Sequence, residues 1–246
     1  MVSEQDKMRY SRQILSPSIG ENGQELLSEL KILQIGAGGL GSPFALYMVA
    51  AGIKELTIID NDVVSISNLQ RQVLYNETQV DKPKVYMAQE VLGRLNSNVK
   101  INAHQEYINA ETIKKHIRHH DFIVDCSDNL KTKFLVNHTA IENDLKCVIA
   151  GIKDFYGQIM TINPKKSACY QCIFSLPGEN ESKNPSSTPL PVIGVTPGIL
   201  GILEALEVIK TALGLPNLEN KLLMVNLLDL SFNIIDIDKA DKCICS

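Results

Sequence analysis

No stretch of this sequence is apolar for long enough to cross a bilayer, and no part of it is basic enough to cover a polyanion. The longest apolar run, Pro191 to Leu203, is broken by Pro197 and three glycines and stops at Glu204, well short of the roughly 20 residues a membrane-spanning helix needs. A formal net charge of -4 argues against a nucleic-acid surface, because phosphate binding requires concentrated Lys and Arg that release counterions. The one basic run, Lys114, Lys115 and Arg118, reads as a solvated helix face. Met1 to Arg12 is charged and has no apolar centre, so no secretory leader is expected and the cytoplasm is the expected compartment. There is no internal repeat and no domain-sized linker, and 44% hydrophobic with 21% charged residues excludes a disordered chain. In a reducing compartment the six cysteines are ligands, nucleophiles or buried small hydrophobes rather than disulfide partners.

What is present is an alternation. From Lys31 onward strand-like and helix-like segments take turns, the signature of βαβ units and a doubly wound, mostly parallel α/β sheet. Strands are expected at Lys31 to Ile35, Leu56 to Ile59, Val99 to Ala103, Phe122 to Val124 and Cys147 to Ala150, with Gln158 to Ile162 turning the sheet antiparallel and Leu222 to Leu227 and Phe232 to Ile237 following. Helices are expected from Ser42 and Pro43 to Ala51, from Lys84 to Asn96, after Asn109 as a cap, from Leu130 to Asn143 and from Thr196 to Leu213. Between Leu176 and Pro191 the composition turns to Gly, Glu, Asn, Ser and Pro, and a long exposed loop is expected. A chain of 246 residues suffices for one large domain with its own core.

The first strand runs into Gly36-Ala37-Gly38-Gly39-Leu40-Gly41, followed by a helix. A glycine turn there lets backbone N–H groups approach a phosphate and aims the helix dipole at it. Asp60 ends the next strand, 19 residues after Gly41, where a carboxylate accepts from ribose hydroxyls. That much describes a nucleotide site and leaves an NAD-dependent oxidoreductase open. The residues after the acid shift the balance. Asp60-Asn61-Asp62 leads to Asn68-Leu69-Gln70-Arg71-Gln72 and then to Lys84, and such cations suit a triphosphate better than a nicotinamide ring.

With Arg9-Tyr10-Ser11-Arg12-Gln13, Asp125-Cys126-Ser127-Asp128-Asn129, Cys169-Tyr170-Gln171-Cys172 and Ile193-Gly194-Val195 in the same order, the sequence resembles the E1-like adenylyltransferase family over nearly its whole length. The resemblance implies ATP-dependent adenylation of the C-terminal glycine carboxylate of a small ubiquitin-like sulfur-carrier protein ending in Gly-Gly, giving acyl-AMP and pyrophosphate. It implies that Gly36, Gly38, Gly39, Gly41, Asp60, Asp62 and Asn68 hold the nucleotide, that Arg71 and Lys84 hold its phosphates, and that Asp128 ligates Mg2+. It further implies a homodimer in which Arg12 reaches the partner subunit's ATP site. Residues 1–246 then form one adenylation domain, with a nucleotide-binding half to about 165 and a zinc-stapled, carrier-binding half beyond it.

Cys169 and Cys172 form a C-x2-C pair, and Cys243 and Cys245 a C-x-C pair. Two such pairs make a closed, structural zinc site of four thiolates; in the family the second pair is usually C-x2-C, so the shorter spacing is a departure. The loop from Gly178 to Ser187 carries no cysteine, and Cys126 and Cys147 read as buried packing residues, so adenylation is expected without an obligatory covalent carrier adduct. His116, His119 and His120 are expected on an exposed helix face, and Asp128 has the alternative reading of a helix cap. Three other functions stand beside the main one: an E1-like enzyme acting on another peptide, small substrate or RNA, the NAD-dependent oxidoreductase, and a non-catalytic zinc-stapled scaffold.

Overall fold

The structure, a computed structural model, describes residues 4–176 and 191–246; the expected long loop lies almost wholly outside them. In chain order the elements are α1 (Glu4–Arg9), α2 (Ser11–Ile14), α3 (Gly20–Glu29), β1 (Lys31–Ile35), α4 (Gly41–Ala51), β2 (Glu55–Ile59), α5 (Lys84–Leu95), β3 (Lys100–His104), α6 (Thr112–His116), β4 (Phe122–Asp125), α7 (Leu130–Glu142), β5 (Lys146–Lys153), β6 (Tyr156–Ile162), α8 (Val195–Ala212), β7 (Lys221–Asn226) and β8 (Ser231–Asp236). All eight strands join one sheet in the order β3-β2-β1-β4-β5-β6-β7-β8. The first five are parallel and the last three antiparallel.

Alternation along the strands builds two cores. Ile32, Leu56, Ile58, Phe122, Val124 and Val148 pack on one face beneath Phe44 and Met48 of α4, Leu92 of α5 and Leu200 and Val208 of α8. Leu33, Ile59, Ile123 and Ile149 point the other way, against Ile113 of α6 and Phe134 and Val136 of α7. Burial on both faces is why these strands read as unbroken apolar runs rather than alternating ones.

The three helices before β1 have no counterpart in the sequence reading. Gly20 and Gly23 lower the helix propensity of α3, and packing overrides it. Leu27 is fully buried, and Gly23 lies so close to Ile19 and Leu213 that an added Cβ would fall 3.1 and 3.2 Å from their side chains. No helix among the described residues is long and apolar enough to cross a membrane.

The strand order reverses direction between β1 and β4. At such a switch point the loops leaving neighbouring strands diverge and open a crevice at the strands' C-terminal ends, where ligands bind in open α/β sheets.

Candidate active site

That crevice is a cavity of ≈ 570 Å³. Gly36, Gly38 and Gly39 line it from the loop after β1, Asp60 and Asp62 from the end of β2, and Asn68, Arg71 and Lys84 from the connection to α5. Ser127, Asp128 and Asn129 line it from the loop after β4.

The glycine turn is sterically dictated at two positions. Gly36 has φ +95, and a Cβ on it would meet the Cys126 carbonyl oxygen at 2.8 Å. At Gly41 a Cβ would lie 2.2 Å from the Gly36 carbonyl oxygen, so any side chain would force α4 away from β1. Asp60 supports the turn as well as facing the cavity: one carboxylate oxygen accepts from Ala37 N–H at 2.7 Å and the other from Asp62 N–H at 2.8 Å. A carboxylate has about four lone-pair sites, so acceptor capacity remains for ribose hydroxyls. Tyr75 completes the support by donating to the Ala37 carbonyl at 2.8 Å; burial, reinforced by the charge of Asp60, pushes its pKa well above the usual phenol range.

Lys84 is the first residue of α5 and only 3% exposed, with its ammonium 2.8 Å from Asp62. A buried cation at a helix N-terminus opposes the helix dipole, and Asp62 offsets that repulsion. Lys84 is therefore not a solvated surface charge. Arg71 is half-buried and donates to the Ser67 carbonyl at 3.3 Å. Asp128 is not the cap of α7: Asn129 is, its side chain accepting from Thr132 N–H at 2.8 Å. Asp128 is thus spared for the cavity. Gln72 Oε1 and Ser127 Oγ, on two cavity-lining residues, are buried without a hydrogen-bond partner, as groups awaiting a polar ligand would be. Arg12 is exposed on α2 and does not line the cavity of its own chain.

Behind the Ser127–Asp128 loop lies a polar network that the sequence reading missed. Lys133 is buried on α7 and donates to Asp125 at 2.9 Å, to the Ser127 carbonyl at 2.8 Å and to the Ala150 carbonyl. Burial works against its charge, but the charge and hydrogen bond of Asp125, together with Glu204 and Tyr170, raise its pKa on balance. Glu204 of α8 faces the same pair and accepts from the Cys126 thiol at 3.5 Å. Burial, opposed in part by Lys133 and reinforced by Asp125, drives the Glu204 pKa well above the carboxylate range. Lys133 thus pairs with Asp125, and Glu204 beside them is pushed toward its neutral form. The available signal was spacing alone: Lys133 falls on one helix face with Asn137 and Ala140, a face the structure buries.

The four paired cysteines converge from segments more than seventy residues apart. Cys169 Sγ is 3.4 Å from Cys243 Sγ, Cys172 Sγ is 3.4 Å from Cys245 Sγ, and all four sulfurs lie within 4.8 Å of one another. Zn–S bonds of about 2.3 Å set sulfurs about 3.8 Å apart in a tetrahedron, so the C-x-C pair fits the cluster. All four cysteines are free thiols. Burial, with the neighbouring Cys243 thiol, raises Cys169 to about 11, and burial and the other sulfurs raise Cys245 too; four thiolates so crowded require a cation. Cys126 and Cys147 are buried, and burial raises both, which makes them poor nucleophiles.

The histidine expectation is overturned. α6 ends at His116, so His119 and His120 lie beyond the helix, and only His119 is exposed. His116 packs against His104 with ring centroids 4.3 Å apart and the rings tilted by 50°, and His120 hydrogen-bonds Thr57 at 3.0 Å. Long-range packing onto β2 and β3 decided this, and a local spacing rule has no access to it.

The model of the ThiF family matches residues 10–246. The zebrafish "Adenylyltransferase and sulfurtransferase MOCS3" is 39% identical over 213 residues, covering 87% of this chain and 46% of the relative. The Escherichia coli "Sulfur carrier protein ThiS adenylyltransferase" is 35% identical over 87% of this chain and 84% of the relative. The "Sulfur carrier protein adenylyltransferase" of Thermus thermophilus is 36% identical over 96% and 89%. The chain thus spans about half the length of the MOCS3 relatives it matches. Among solved structures, E. coli MccB with ATP superposes with a TM-score of 0.84 at 24% identity, covering 97% of this chain and 74% of that one, a likeness of fold.

Proposed function

The chain belongs to the ThiF family of E1-like adenylyltransferases, and from that premise we propose that it activates the C-terminal carboxylate of a ubiquitin-like sulfur-carrier protein by ATP-dependent adenylation. One observation carries the reading: Asp60, Arg71, Lys84 and Asp128, drawn from three separate segments, line one cavity with the glycine turn. The relatives do not favour the oxidoreductase alternative.

In the proposed reaction a carrier carboxylate oxygen bonds to the α-phosphorus of ATP while the bond from that phosphorus to the β-phosphate oxygen breaks, releasing pyrophosphate. Carboxylate and triphosphate are both anions, and the carboxylate is already ionised at neutral pH. No general base is required, and catalysis reduces to positioning and charge neutralisation. Backbone N–H groups of the glycine turn and the N-terminus of α4 face the phosphates, and Asp60 orients the ribose. Arg71 grips phosphate oxygens. Lys84 exchanges Asp62 for the phosphate charge, which frees Asp62 for the nucleotide. Asp128 would hold Mg2+, supported by its oxygen donors and its release from capping; that ion adds charge neutralisation at the phosphates. The four cysteines would hold a structural Zn2+.

The exposed position of Arg12 outside its own cavity supports a homodimer in which it serves the partner's site. A mixture of Arg12→Ala and Lys84→Ala chains then regains activity that neither variant has alone, at most roughly a quarter of wild type for random exchange in a two-fold dimer. No recovery on mixing would assign Arg12 to its own chain or to none.

The deciding experiment is magnesium-dependent ATP–pyrophosphate exchange with candidate carriers ending in Gly-Gly. Exchange that requires the carrier and is lost when its terminal glycine is removed is expected. Absence of ATP binding, or exchange indifferent to the carrier terminus, sinks the reading.

A further inference from the structure

Apart from the nucleotide cavity and the four cysteines, a third group of side chains has the chemistry of a binding site. Edge strand β3 ends on His104, the chain turns through Glu106 along the cavity wall, and α6 brings His116 back beside them. One ligand atom from each of the three residues lies within 4.8 Å of the other two. His116 Nε2 is 3.5 Å from a Glu106 carboxylate oxygen, yet this solvent-shielded nitrogen makes no hydrogen bond. A buried polar atom without a partner is costly, and the groups turned toward this one are themselves electron-pair donors.

We propose that His104, Glu106 and His116 bind a divalent cation of the zinc class, such as Zn2+ or Co2+, at a site distinct from the four-cysteine cluster. Two imidazoles and one carboxylate are the donor set of a three-ligand zinc site with a fourth position left to water. Bonds of about 2.0–2.1 Å in a tetrahedron set donor atoms about 3.4 Å apart, so the cluster closes on the ion by modest side-chain rotation. Among the described residues the ion-pair partner of Glu106 outside the cluster is Lys115, whose ammonium is 4.0 Å from the other carboxylate oxygen and 65% exposed; such a screened pair yields readily to a metal. Magnesium is excluded by its demand for octahedral oxygen ligands. The site shares its frame with the nucleotide cavity, since Asp60 N–H donates to the His104 carbonyl at 3.3 Å and Glu106 lines both. The proposal is independent of the adenylation reading.

The test uses the full chain with its four-cysteine site filled with zinc, titrated with Co2+ without nucleotide. One further equivalent of Co2+ is expected, with the visible absorption of nitrogen and oxygen ligation and no sulfur-to-cobalt charge-transfer band. His104→Ala and His116→Ala each weaken this binding on the order of tenfold or more, and His119→Ala, at the exposed neighbour outside the cluster, leaves it unchanged. Failure of the wild type to bind the extra Co2+, a charge-transfer band, or equal affinity in the His104 and His116 variants overturns the proposal. Should those variants not fold, paramagnetic shifts of the His104 and His116 ring protons in the cobalt-loaded wild type decide it alone, and unshifted rings overturn it.

Discussion

β1 and β2 are buried along four of their five residues and β4 along all four, whereas β8, at the far edge of the same sheet, has five of its six residues exposed. The parallel end is covered on both faces by helices and carries its stability in its own core, so its strand tips and loops are free to hold charges in an open cleft. The outer edge of the antiparallel end buries little: on β8, Phe232, Ile234 and Ile235 are all about half-exposed or more. There the cysteines join residues 169–172 to the chain's last turns. The nucleotide-type cavity sits at the parallel end, and the four-cysteine cluster packs into the second core beside the antiparallel strands, with Cys169 and Cys245 buried.

The sharpest way to break this contrast is to open the parallel core at the buried Lys133–Asp125 ion pair. Lys133→Ala strands Asp125 and is expected to cost about 3–5 kcal/mol of global stability, read by urea denaturation; a loss confined to activity would mean that the network positions Asp128 without supporting the fold. Next in size, Lys84→Ala is expected to slow ATP–pyrophosphate exchange by about 10²–10³-fold, or roughly 3–4 kcal/mol of barrier. Its effect on ATP affinity and melting temperature is smaller, because Asp62, its partner, is 61% exposed and rehydrates. Equal losses in affinity and rate would make Lys84 a binding residue only.

Chelating the zinc proposed at the cysteines, or Cys172→Ser, is expected to lower the melting temperature by roughly 10 °C. Amide exchange should accelerate in β7, β8 and residues 163–176 while β1 to β4 stay protected. Uniform acceleration would show that the two ends of the sheet are one cooperative unit.

The smallest expected effect is a pH slope from Glu204, on α8 where the two ends meet. Its folded pKa is raised above the ordinary 4.5, so the folded chain keeps a proton that the unfolded chain releases. That contribution is complete below 4.5 and declines as pH rises toward the raised value. Glu204→Gln stays neutral and should gain on wild type above that point, by at most about 1.4 kcal/mol per pH unit. Parallel stability curves from pH 4 to 7 would refute the protonated acid.

Much of this was legible in the chain. Element order from Lys31 onward, the antiparallel turn at β6 and the convergence candidates around the glycine turn follow from local patterns, because a helix or a buried strand writes its period into consecutive residues. The helices α1 to α3 were not legible, since two glycines mask α3 until α8 packs on it. Nor was the partial burial of His116 and His120, whose neighbours His104 and Thr57 come from β3 and β2.

By itself the sequence determined which chemistry was on hand: a glycine turn that only glycine can make at Gly36 and Gly41, an acid at the next strand end, two cations and two thiol pairs. Each is set by spacing along the chain, where sterics act over a few residues. Only the tertiary structure decided which of these groups meet, which charge is buried as Lys133 is, and which histidines become neighbours. Burial and ion pairing depend on contacts between distant segments, and such contacts leave no local signature.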